Sequence, residues 1–371
     1  MDYNMRRHCV ICNSNELKFT YSLKEFPMTF LPTDEPFEED IFVDLNLYGC
    51  EKCGCVQLKN LLDPNVLYGT PHNLTYNTPL WKEHHRMFCD FIYDGKQSND
   101  ILEIGGYSGV LAKLLLEKDS TLNYTILDIC DTDPKIENVK FINGNCETYD
   151  FKEDTTIVMS HVFEHLYEPS KFIENLKRNS VKNVFISIPN MNAQMETRTV
   201  PIVQQEHTFF CDYNDIVHLF SKSGYLCLSS FYFKNQSIFF QFIQCDTLNT
   251  ITQFNKERID NYHNVYKYNQ LKISSLKDLD TSFFIVPAGL YGQIIYYFLN
   301  PEYKKNLLGF LDNDPSKINR RLYGTQSFIY KMDEIKKYET ITIILYNGPY
   351  TNEIMTQLDS YNKKIRYILL D

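Results

Sequence analysis

Short, nearly unbroken apolar runs recur through the middle of this chain, separated by segments whose apolar positions return every three or four residues. Ile101–Ile104 reads as a buried strand, Val110–Glu117 as a helix and Tyr124–Asp128 as a second strand. Val139–Ile142 and Thr156–Ser160 read as further strands, followed by a helix over Ser170–Arg178 and a strand over Val184–Ile188. Leu226–Tyr232 and Ile238–Gln244 read as a closing antiparallel pair. Strands that are apolar on both faces and alternate with helices predict an α/β fold with a doubly wound, largely parallel sheet.

The flanks read differently. Residues 1–75 are rich in turns, with Pro27, Pro32, Pro36, Pro64 and Pro71, and lack helical periodicity. A lobe of this kind has too small a core to stand alone and needs a staple. Residues 246 to about 275 form a polar, helix-prone bridge. A smaller α/β pattern then starts with a strand over Phe283–Val286, the turn Pro-Ala-Gly-Leu-Tyr-Gly292 and a helix through Phe298, with strands over Leu307–Leu311 and Thr340–Leu345. The expectation is three domains: a small N-terminal lobe over 1–75, a Rossmann-like nucleoside-cofactor domain over 76–245, and a smaller Rossmann-like domain over 246–371.

The balance of 37 basic against 47 acidic residues, net charge -10, argues against a nucleic-acid partner. No apolar run approaches the roughly 20 residues of a membrane span, and the N-terminal residues lack a signal-peptide core. A soluble, cytoplasmic protein with no membrane partner is expected, as a monomer or small homo-oligomer. Its eleven cysteines then suit metal ligation and free thiols better than disulfides.

Two Cys-x-x-Cys pairs, Cys9/Cys12 and Cys50/Cys53, offer four thiolates from two tight turns, the set that closes a tetrahedral structural zinc site. Cys55 is near enough in sequence to be an alternative ligand. The run Glu103-Ile-Gly105-Gly106-Tyr-Ser-Gly109 follows a strand and opens a helix, as nucleoside-binding turns do. Glu103 suits a cationic amino-acid tail better than a pyrophosphate, Asp128 is placed for ribose hydroxyls and Asn145 for an adenine edge. These residues favour S-adenosylmethionine over a nicotinamide cofactor or a ligand-free fold. In Ser160-His-Val-Phe-Glu-His165, Ser160 leaves a central strand into the crevice, and His165 either faces substrate or packs the next helix. Glu206-His207 supplies a base that titrates near neutrality beside a carboxylate. His84 and His85, on a probable helix with Trp81, read as surface or interdomain residues.

In this order, the cysteine pairs, the glycine turn, Ser-His-Val-Phe-Glu-His165 and Glu206-His207 resemble the three-domain sugar methyltransferases of deoxysugar biosynthesis, typified by C-methyltransferases. The resemblance extends to Gly309-Phe-Leu-Asp-Asn-Asp-Pro-Ser-Lys317 and Asn347-Gly-Pro-Tyr-Thr-Asn-Glu-Ile354. It implies a nucleotide-linked sugar substrate, with Glu206 and His207 as the base motif, His165 a second active-site histidine and Tyr76 a further catalytic residue. Two positions depart from the family: Val203 replaces a tyrosine, and Lys234-Asn-Gln-Ser237 replaces a Gly-Gly-Ser turn. The expected reaction is C-methylation through a base-generated enolate. O-methylation of a sugar hydroxyl and a non-catalytic binding or scaffold protein are the alternatives.

Overall fold

The computed structural model describes residues 4–69, 78–196, 204–245, 254–348 and 350–370. Its central sheet has seven strands: β1 Asp100–Ile104, β2 Asn123–Asp128, β3 Val139–Asn143, β4 Thr156–Ser160, β5 Asn183–Pro189, β6 Tyr225–Phe233 and β7 Ser237–Gln244. They lie in the order β6-β7-β5-β4-β1-β2-β3. The strands β1 to β5 pair in parallel, and β7 runs antiparallel between β5 and β6. The sheet is thus doubly wound, as expected, with its chain reversal between β1 and β4.

Alternation within the apolar runs sends successive side chains to opposite faces. Ile101, Ile126, Val158 and Phe185 pack with Phe88 and Ile92 of helix α1 (Pro79–Gly95) and Leu111 and Leu115 of α2 (Val110–Lys118). Leu102, Leu127, Ile157 and Val184 pack on the other face with Phe172 and Leu176 of α3 (Pro169–Arg178) and Leu219 and Phe220 of α4 (Tyr213–Lys222). Phe220 stacks on Phe242 with ring centroids 3.9 Å apart. Each fully buried side chain of this size contributes about 1.5–3 kcal/mol.

That second core does not stop at the sheet. It includes Cys9, Ile11, Cys50, Cys53 and Cys55, so the cysteine-bearing segments share a core with the central sheet. The chain accordingly divides into two compact units, one of residues 1–20, 46–196 and 205–260, the other of 21–45, 197–204 and 261–371. This partition differs from the three domains expected over 1–75, 76–245 and 246–371. Within the first unit, Phe209–Phe210 pairs antiparallel with Val56–Leu58, which pairs with the end of strand Phe42–Cys50. Arg258, buried, donates from Nε to the Gly54 carbonyl at 3.1 Å and pairs with Asp215 and Asp212 at the start of α4.

The second unit carries a five-stranded parallel sheet: β8 Phe283–Val286, β9 Leu307–Asp312, β10 Ile329–Lys331, β11 Thr340–Tyr346 and β12 Lys364–Leu370, in the order β10-β9-β8-β11-β12. The strands β10 and β12 are short of clean apolar runs and had no counterpart in the sequence reading. Among the described residues no helix is long and apolar enough to cross a membrane.

Candidate active site

All described candidate residues fall in the first unit. Glu103, on β1, is buried, and its Oε2 accepts a hydrogen bond from the Tyr124 hydroxyl at 2.9 Å. Burial pushes its carboxyl up to about 7. The turn that follows passes close over it, since a Cβ at Gly106 would lie 2.7 Å from the Glu103 carboxyl carbon. Gly105 and Gly109 sit at φ +70 and +64, and Gly109 opens α2. Asp128, ending β2, accepts backbone N–H groups from Tyr107 at 3.0 Å and Cys130 at 2.9 Å. Asn145 caps its own turn, its Oδ1 accepting the Glu147 N–H at 2.9 Å. Ser160 ends β4, half-buried. The ends of β1, β2 and β4 and the turn after β3 thus supply the polar rim of the crevice.

Beside Ser160 a second group of side chains converges. His165 and His207 lie with ring centroids 5.0 Å apart. Their carboxylate partners are crossed with respect to sequence: His165 Nδ1 is 4.0 Å from Glu206, and His207 Nε2 is 4.0 Å from Glu164. Glu164 is also 3.4 Å from His161 Nδ1, and the other nitrogen of that ring lies 2.9 Å from the Ser237 hydroxyl. The Tyr68 hydroxyl is 3.4 Å from His165 Nδ1.

The electrostatics of this group are uneven. Burial, seconded by His165, lowers His207 to about 3, so the ring is neutral at physiological pH instead of titrating near neutrality. Glu164 is 2% exposed; burial raises its carboxyl, but the hydrogen bond from His161 and the charges of His161, His165 and His207 bring it below its ordinary range. It is a buried carboxylate faced by His161 and His207.

Sequence reading passed over Glu164, His161 and Tyr68 as chemistry. One signal was available for His161: a non-glycine residue directly after a central strand, here at φ +55. His84 is not a surface residue. It is buried on the inward face of α1 among Phe88, Phe233 and Phe239, with Nε2 2.9 Å from the Ser187 hydroxyl. Tyr76 and Val203 lie outside the described residues.

Cys9, Cys12, Cys50 and Cys53 place their four sulfurs within 4.8 Å of one another, with Cys9–Cys53 at 3.4 Å and Cys12–Cys50 at 3.5 Å. A zinc tetrahedron with bonds of about 2.3 Å spaces its sulfurs by roughly 3.8 Å, so the donor set fits. Each knuckle closes by a short turn, Asn13 N to Cys9 O at 2.9 Å and Gly54 N to Cys50 O at 2.7 Å. Gly54 adopts φ +78, and a Cβ there would meet the Asn255 carbonyl oxygen at 2.0 Å. The Cys55 thiol turns away to the Val56 carbonyl at 3.6 Å.

Residues 78–230 match the family model described as a methyltransferase domain. No curated protein matches the chain. Among solved structures it is similar to a magnesium protoporphyrin IX methyltransferase from Synechocystis PCC 6803 with bound SAH, at 11% identity and TM-score 0.38 over 48% of this chain and 90% of that one. It is also similar to the plantazolicin methyltransferase BpumL in complex with a monoazolic desmethylPZN analog and SAH, at 12% identity and TM-score 0.37 over 45% of this chain and 84% of that one. A third is a putative methyltransferase in complex with the Trm112 activator from Haloferax volcanii, at 9% identity and TM-score 0.36 over 44% and 92%.

Proposed function

We propose that this protein is an S-adenosylmethionine-dependent methyltransferase that acts on a nucleotide-linked keto sugar and methylates the carbon next to the ketone. The observation that carries the reading is the buried cluster in which a neutral imidazole, His207, stands between His165 and Glu164 at the edge of the crevice. Motif order along the chain supports the sugar class.

Glu103 would hold the cationic tail of S-adenosylmethionine, Asp128 its ribose, and Asn145 and Ser160 the rest of the nucleoside rim. The cofactor supplies an electrophilic methyl group on a sulfonium. His207, kept neutral by burial, takes the proton from the carbon beside the ketone. The imidazolium that results lies 4.0 Å from the Glu164 carboxylate, which stabilises it in a water-poor setting. Glu206 orients His165, which with the Tyr68 hydroxyl faces the same space. Cys9, Cys12, Cys50 and Cys53 would hold a structural zinc ion, whose four thiolate ligands leave no position open for chemistry.

The test is to incubate the protein with a panel of nucleotide-linked keto hexoses in deuterium oxide without methyl donor, and to follow the sugars by mass spectrometry. Wash-in of deuterium beside the ketone, lost in His207→Ala, is the expected result. Methyl transfer to a sugar oxygen with no wash-in would replace carbon methylation by O-methylation. Cofactor binding with no transfer to any sugar would leave a binding protein.

A further inference from the structure

The strand Asn4–Met5 pairs antiparallel with Asn60–Leu61 and delivers Arg6, buried, three residues ahead of Cys9. Its guanidinium reaches the two segments that carry the active-site histidines. Nη2 donates to the carbonyls of Leu166 at 3.1 Å and Tyr167 at 3.0 Å, immediately after His165. The same nitrogen donates to the Thr208 hydroxyl at 2.8 Å, and Nη1 donates to the Thr208 carbonyl, immediately after His207. Thr208 in turn donates from its hydroxyl to the Leu166 carbonyl at 2.5 Å and from its backbone N–H to the Glu164 carbonyl at 3.0 Å. Burial draws Arg6 down to about 10, so it is charged at physiological pH.

From this convergence we infer that Arg6 is a positioning residue for the His165–His207 pair, and that the cysteine lobe is the frame that presents it. The frame is continuous. Gln57, fully buried, accepts the Val10 N–H at 3.0 Å and donates to the His8 carbonyl at 3.0 Å, fixing both ends of the short arm between Arg6 and the first knuckle. The strand that holds Gln57 runs directly from the second knuckle and pairs with Phe209–Phe210, two residues beyond His207. A planar fork with several donors suits three carbonyls and a hydroxyl in a way that a lysine point charge does not. No contact of Arg6 with the cofactor rim is involved, so cofactor affinity and histidine geometry are separable.

The inference rests on His165 and His207 being the reacting pair only for its consequence in turnover, not for its geometry. The experiment is nuclear magnetic resonance of histidine-labelled full-length protein, with the two ring signals assigned through His165→Asn and His207→Asn. In Arg6→Ala both ring signals shift together while calorimetric S-adenosylmethionine affinity stays within about threefold of the parent, and added guanidinium ion restores the signals. On a methyl-accepting sugar, kcat falls about 100-fold with KM nearly unchanged, the loss typical of an ångström-scale misplacement. Arg6→Lys, which keeps the charge and loses the fork, shows the same shift in reduced measure and serves if the alanine variant does not fold. Unmoved ring signals in either folded variant overturn the proposal. If the signals shift but His207→Asn still methylates, the positioning stands and the assignment of the base falls.

Discussion

Asp128 in the first unit and Asp312 in the second occupy the same place among the parallel strands of their sheets, each ending the strand next to the one that leads into a glycine turn. Asp128 accepts N–H groups from Tyr107, in the turn itself, and from Cys130. Asp312 instead takes the Lys317 ammonium at 2.8 Å, and the same nitrogen donates to the Ala288 carbonyl in the adjoining turn at 3.0 Å. One crevice is lined with acceptors that a ligand can use. The other has its charge answered from within its own unit. Topology places an acid at the mouth of a sheet, and the neighbouring side chains decide whether it binds or merely holds the fold together.

The largest expected effect lies on the first side of that comparison. His207→Asn lowers turnover by about 10³-fold with cofactor affinity unchanged, measured by single-turnover assay and calorimetry. Glu164→Gln comes next, at about 10²-fold in kcat, because in the proposed reaction the imidazolium of His207 would lose its counter-charge. The same variant has a stability signature. Glu164 titrates below its ordinary range in the fold, so its contribution is present above the unfolded value and is lost as pH falls through the folded one. Melting temperature against pH is therefore flatter on the acid side in Glu164→Gln.

Glu103 has the opposite sign. Its carboxyl is raised to about 7 by burial, so folding favours its protonated form, and that advantage is fully present below the unfolded value and is lost as pH rises through about 7. Glu103→Gln should melt higher at pH 8 than the parent while binding S-adenosylmethionine about tenfold more weakly there. The affinity gap closes below pH 6, where the parent is itself protonated. Lys317→Met gives the smallest change, a loss of about 1–2 kcal/mol in stability from leaving Asp312 unanswered, with cofactor affinity untouched. A cofactor affinity that followed Lys317 instead of Glu103 would invert the comparison.

The central sheet was legible because strands buried on both faces have no room for polar residues, and Glu103 stands out from such a run for that reason. The glycine turn and the paired cysteines were legible because each needs fixed residues at fixed spacing. The crossed pairing of Glu206 with His165 and of His207 with Glu164 was not. Adjacent letters suggested a Glu206–His207 couple, whereas neighbouring side chains outside a helix diverge, and each met a partner from the loop after β4. Arg6 was hidden for a related reason: its partners are main-chain carbonyls 160 or more positions away, and a carbonyl has no letter of its own. The low value of His207 depends on burial, which composition does not reveal.

The two compact units interleave along the polypeptide, with residues 21–45 of the second unit drawn from within the span of the first. No single cut in the chain therefore releases either unit whole. Synthesis from the N-terminus completes the second unit only when residue 370 has emerged, long after its first segment left the ribosome, so that segment must wait without its native neighbours. Shortened genes ending near residue 245 are expected to yield protein that is degraded instead of a minimal enzyme.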